Sequence, residues 1–210
     1  MKHFGIPFEE VLIPFANPID SPEWKAKIRK YNPAGKVPAL VDGDIAVWES
    51  IAIMEYLADK HPEHAIWPKD RAARAMARSI AAEMHAGFSA LRGACPMNLG
   101  KKYAYKDRGA GAAKDVARVA ELWRTARERF GEGGPFLFGA FSAADAMYAP
   151  VVTRFDTYSL PADPVVRAYM EAVMATPAFQ EWRKAALAES WIVPEDEVDE
   201  VPIENYRKAA

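Results

Sequence analysis

Two short stretches carry the groups with the clearest chemical potential, Val37-Pro38 and Glu49-Ser50. Val37 to Val41 has the branched, apolar composition of a strand, yet Pro38 stands at its start, where it cannot donate to a ladder. One reading is an edge-strand proline. The other is a cis Val37–Pro38 peptide, a form uncommon even for proline. A cis bond would turn the Val37 N–H and C=O outward at the sheet edge, where an extended peptide could add as a further strand. Ser50 opens a helical pattern and suits a helix N-cap. The hydroxyl and free N–H groups of a helix start also bind a carboxylate. Glu49 beside it could meet an amino group. One ligand with an amino-acid head and a peptide middle would satisfy both stretches.

Around these residues the chain up to His61 mixes strand and helix signals. Phe8 to Phe15 reads as a strand. "SPEWKAKIRKY" follows, with Ser21 as N-cap and Pro22 at the first helical position. "VPALVD" and "IAVW" are two short strands around an Asp-Gly hairpin signal. "SIAIMEYLADKH" is then a helix. The expected order is strand, helix, strand, strand, helix over residues 1–61, with a linker at 62–69 and a helical domain at 70–210.

Beyond Pro68 only helices are expected. Met76, Ile80, Met84, Phe88 and Leu91 form one stripe on a long helix. Val116, Val119, Trp123, Ala126 and Phe130 form a second, ended by "GEGGP". Ser142 and Asp145 read as a capping box opening a third helix. "PVVRAYMEAVMA" and "TPAFQEWRKAALAES" each follow a proline signal. The acidic tail "PEDEVDEVPIENY" is expected to be a solvated end, with a lid over a pocket as the lesser reading.

Composition narrows the classes of function. Half the residues are apolar, 27% are charged and the formal net charge is -2. That is globular composition without the basic excess of a nucleic-acid or membrane-surface binder. No apolar run is long enough to span a bilayer. The start, "MKHFGIPFEE", lacks the pattern of a secretory leader, and Cys95 is the only cysteine, so a reducing cytoplasm is expected. Cys95 reads as a buried, inert thiol. His61 and His64 lack a third ligand, so no metal site is expected. His85 and Arg92 flank the stripe of the long helix, either as a polar flank or lining a pocket. The glycines at 131, 133 and 134 are not a phosphate loop.

"NPAGKVPAL" (Asn32 to Leu40) followed by Glu49-Ser50 resembles the glutathione-binding signature of the cytosolic glutathione transferases. "FGAFSAADAMYAPVVTRF" (Phe138 to Phe155) resembles that family's capping box in its second domain, and "EMHAGFSALR" resembles a bacterial, zeta-like branch. The resemblance implies an α/β thioredoxin-like N-terminal domain followed by an all-α domain. It implies that Val37 pairs its backbone with the cysteinyl part of glutathione, with Pro38 cis. Glu49 and Ser50 would hold the γ-glutamyl end, and Lys36 the glycyl carboxylate. Ser142 and Asp145 would serve folding.

The implied reaction is attack of the glutathione thiolate on a small electrophile in a homodimeric enzyme, with His85 and Arg92 as acceptor-pocket candidates. The rivals are a glutathione-dependent isomerase of an unsaturated diacid and a non-catalytic glutathione-binding module. In the family, the residue that activates the thiol precedes the "GIPFEEVLI" region. The expectation is therefore that a first strand and the catalytic position lie upstream of Met1, and no catalytic residue is assigned.

Overall fold

The computed structural model describes residues 1–15 and 21–207. They fall into two compact units, Met1–Ile66 and Trp67–Ala210.

The first unit opens with a single 3-10 turn, Lys2–Phe4. Helix α1 (Pro22–Ile28) starts as its sequence dictates: the Ser21 side chain accepts from the Trp24 N–H at 3.2 Å, and Pro22 sits where no donor is needed. It buries Trp24 and Ile28. Strands β1 (Ala39–Asp42) and β2 (Ile45–Trp48) pair antiparallel, from Ala39 opposite Trp48 to Asp42 opposite Ile45. Gly43, at φ +59°, permits the two-residue turn between them. Helix α2 (Ser50–Lys60) packs on both strands. It is tied to the turn, where Asp42 accepts from the Tyr56 hydroxyl at 2.5 Å and pairs with Lys60. Those bonds, the Lys60 ammonium first, hold Asp42 below the usual carboxylate range.

Phe8 to Phe15 is not a strand. Its apolar, branched composition fits a pleat, but a strand is defined by ladder bonds. Among the described residues, β1 pairs only with β2. Phe8, Val11, Leu12 and Phe15 remain exposed.

The second unit is built on α3 (Arg71–Ala86), α4 (Ser89–Ala94), α5 (Ala110–Phe130), α6 (Ala143–Thr157), α7 (Pro164–Met174) and α8 (Pro177–Ala188). The stripe expected on one long helix is divided between α3 and α4. Gly87 is extended and Phe88 takes φ +58°, so the chain turns there while the apolar spacing runs on across the break. Trp123 of α5 is fully buried, with ring centroids 4.9 Å from Tyr169, 5.1 Å from Phe155 and 5.6 Å from Tyr148. Three helices thus meet on one indole.

At the start of α6, Asp145 accepts from the Ser142 N–H at 2.8 Å and the Leu137 N–H at 3.1 Å. It is fully buried, and desolvation, partly offset by these bonds, raises its pKa to about 6. An unfolded aspartate ionises near 3.8. Between these values the folded chain keeps a proton that the unfolded chain has lost, so this contribution to stability falls as pH rises and is flat above the window. Asp145→Asn removes the titration. The stability of the wild type relative to this variant should therefore decline by roughly 2 kcal/mol from pH 4 to pH 7, read from urea midpoints. A pH-independent difference would contradict the assignment.

The acidic tail is not a solvated end. Strand β4 (Glu204–Asn205) pairs with β3 (Lys101–Lys102), placing a two-stranded ladder in a unit expected to be wholly helical. Glu197 accepts from Lys101 at 2.5 Å and Asn98 at 3.1 Å, while Arg207 donates to the Trp191 carbonyl. The tail's acids meet cations that lie nearly a hundred positions earlier in the chain, a match that local composition does not display.

Candidate functional site

The loop before β1 is shaped by Asn32, a residue the sequence reading quoted without assigning it a role. Its side chain is buried; Nδ2 donates to the Lys36 carbonyl at 2.7 Å and Oδ1 accepts from the Ala34 N–H at 2.8 Å. Gly35 takes φ +66° and donates to the Asn32 carbonyl at 2.9 Å. Asn before Pro and Gly is the signal that could have found it, because an Asn side chain closes turns by bonding backbone two residues on. Lys36 leaves this loop exposed.

The Val37–Pro38 peptide is cis. Val37 is 49% exposed and precedes the first residue of β1, and among the described residues no backbone group pairs with its N–H or C=O. Directly after β2, Glu49 occupies the N-cap of α2 and Ser50 is the first helical residue. Ser50 is therefore not the cap that the sequence pattern suggests; the chain enters the helix one residue earlier. Glu49 takes φ +69° and ψ +125°, a conformation that costs a non-glycine residue energy and that recurs at functional sites. The first α2 bond runs from Ile53 N–H to the Glu49 carbonyl at 3.0 Å.

Register joins the two stretches. Ala39, the first residue of β1, lies opposite Trp48, the last of β2, so Val37–Pro38 before one strand and Glu49–Ser50 after the other adjoin the same end of the hairpin. The two stretches, eleven to thirteen positions apart, thereby share one end of the hairpin. The arrangement offers an extended backbone for a peptide, a helix start for a carboxylate and an acid for an amine.

His85 lies in the last turn of α3 and Arg92 on α4, both exposed. Neither lines the cavity of the helical unit. Cys95 is buried there, and desolvation raises its thiol pKa. Ser142 and Asp145 form the capping box described above. Among the described residues, no cluster of three His, Cys, Asp or Glu could hold a metal ion, and no helix is long and apolar enough to cross a membrane.

Residues 1–59 match the Glutathione S-transferase, N-terminal domain, and residues 107–185 the Glutathione S-transferase, C-terminal domain. The chain is 44% identical over 72 residues to the Caenorhabditis elegans protein named "Probable maleylacetoacetate isomerase", a match covering 34% of this chain and 33% of that protein. It is 27% identical over 181 residues to a zeta-class glutathione S-transferase of Euphorbia esula, covering 84% and 78%. A glutathione transferase homolog from Burkholderia gl BGR1, solved with bound glutathione, superposes with a TM-score of 0.58 at 26% identity, over 78% of this chain and 80% of that one.

Proposed function

The chain belongs to the glutathione S-transferase family, and from that premise we propose that it binds glutathione and transfers its thiolate to a small electrophile. The observation that carries the reading is the hairpin register, which sets the open Val37 backbone and the Glu49–Ser50 helix start at one end of β1 and β2. Glutathione has the matching parts. Its cysteinyl peptide extends along Val37, its γ-glutamyl carboxylate meets Ser50 and the N-terminus of α2, and its amino group meets Glu49. Lys36 takes the glycyl carboxylate. The solved relative with bound glutathione supports this ligand.

The thiolate is the nucleophile, and a free thiol with a pKa of about 8.5 is mostly protonated at neutral pH. Binding and activation are therefore separable: the residues above hold the peptide, while a donor to the sulfur would stabilise the charged form. A second reading, isomerisation of an unsaturated diacid with glutathione as cofactor, is favoured by the match to the isomerase-named relative. There Arg92, exposed on α4, would be the cation that a diacid requires.

Isothermal titration with glutathione followed by assays with chlorodinitrobenzene and with a maleyl diacid decides among these. Saturable binding with conjugation is the expected result. Binding with isomerisation alone would select the second reading, binding with neither would make the chain a glutathione-binding module, and no binding would overturn all of them.

We also place the protein in the cytoplasm as a homodimer. The exposed Ala72, Ala75, Ala82 and Ala86 on α3 allow close approach of a second helix. Sedimentation at micromolar concentration should give twice the chain mass, and a monomer would refute the dimer.

A further inference from the structure

The loop between α1 and β1 hangs on one buried side chain. The Asn32 N–H donates to the Ile28 carbonyl at 2.9 Å, which ties the loop to the end of α1. Its side-chain amide, 1% exposed, then bonds twice within the loop. Oδ1 accepts from the Ala34 N–H, and this bond, with the Gly35 N–H returning to the Asn32 carbonyl, closes the turn. The second bond does something else. Nδ2 donates at 2.7 Å to the Lys36 carbonyl, four positions on and immediately before Val37.

The Lys36 carbonyl and the Val37 N–H are the two ends of one peptide unit. That unit is trans, the cis bond of this loop being Val37–Pro38. A trans peptide is planar, and its C=O and N–H point in opposite directions. Holding the carbonyl on buried Asn32 therefore turns the Val37 N–H away from the loop interior. Val37 is half exposed, and among the described residues that N–H has no backbone partner. A carbonyl that accepts a hydrogen bond also polarises its own peptide N–H into a better donor. We propose that Asn32 is a positioning residue for glutathione, which aims and strengthens the Val37 N–H through the Lys36–Val37 peptide without touching the ligand. The role rests on glutathione lying along Val37, as proposed for the site.

Side-chain chemistry separates this role from turn closure. Asparagine gives the loop an acceptor and a donor. Aspartate of the same shape is an acceptor alone when ionised and regains a donor when protonated. Asn32→Asp therefore keeps the Ala34 bond at every pH, and keeps the Lys36 bond only where its carboxyl carries a proton. Burial raises such a carboxyl above its ordinary range, against the opposing pull of Lys25 and Arg29, whose side chains lie over Gly35. Asn32→Ala has neither bond at any pH.

The test is titration calorimetry of glutathione on the full chain, as wild type and as both variants, from about pH 4.5 to about pH 8. Each affinity is taken as a ratio to wild type, so that titration of the ligand and of Glu49 cancels. At the alkaline end both variants should bind about tenfold more weakly than wild type. As the pH falls, Asn32→Asp should recover to within about threefold of wild type, and Asn32→Ala should stay weak. A pH-independent ratio for Asn32→Asp, or wild-type affinity in Asn32→Ala, would overturn the inference and leave the glutathione site standing. A wild type that binds no glutathione would overturn both. A further readout needs no variant to fold. In the wild type the Val37 amide proton should shift downfield and exchange more slowly at saturating glutathione; an unmoved Val37 amide in the bound protein would overturn the role of Asn32.

Discussion

Trp123→Ala is expected to destabilise the helical unit by about 3–5 kcal/mol, the range for removing a large buried aromatic side chain. The indole is fully buried and touches rings from α6 and α7 on three sides. Its loss forfeits apolar burial and leaves a cavity among helices that cannot all close on it. Aromatic edge-to-face contacts add to that cost. Trp123→Phe should cost much less, because among the described residues the indole Nε1 has no hydrogen-bond partner to lose, and a ring still fills most of the space. Urea unfolding followed by circular dichroism reads both. Equal losses for Ala and Phe would mean that the site depends on the full indole shape, not on ring burial.

Ser50→Ala is expected to weaken glutathione binding by about 1–2 kcal/mol, the value of a charge-assisted hydrogen bond to a carboxylate. Ser50 is the first residue of α2 and not its cap, so the variant should retain its fold and most of its stability. That separation makes the measurement informative. Titration calorimetry on a variant with an unchanged thermal midpoint isolates the ligand contact. Unchanged affinity would reduce Ser50 to an ordinary first-turn residue and remove the γ-glutamyl end from this helix start.

The parts of the fold legible in the sequence were those whose signals are local. Ser21-Pro22 announced α1, the Asp-Gly pair announced the β1–β2 turn, and the spacing of Val116, Val119, Trp123 and Ala126 announced the buried face of α5. That the hairpin sets Val37–Pro38 and Glu49–Ser50 at one end follows from the pairing of Ala39 with Trp48; the sequence reading had joined the two stretches only through a single ligand that would satisfy both. Features set by distant partners were not legible. Phe8 to Phe15 has strand composition, but composition names no neighbour. The apolar stripe of α3 continues through Gly87 into α4 and hides the turn between them. The tail reads as solvated acid until Lys101, Arg108 and the β3 edge stand opposite it. Asn32 was overlooked because its bonds satisfy a turn without altering any periodicity.

The backbone at Glu49 sets two selective pressures against each other at a single codon. At φ +69° glycine is the residue with least conformational penalty, so drift under selection for folding alone leads there. Glycine has no carboxylate to offer an amine. On the proposal that Glu49 holds an amine, the glutamate here trades backbone ease for ligand contact, and a chain that did not bind the ligand would lose nothing by carrying glycine in its place.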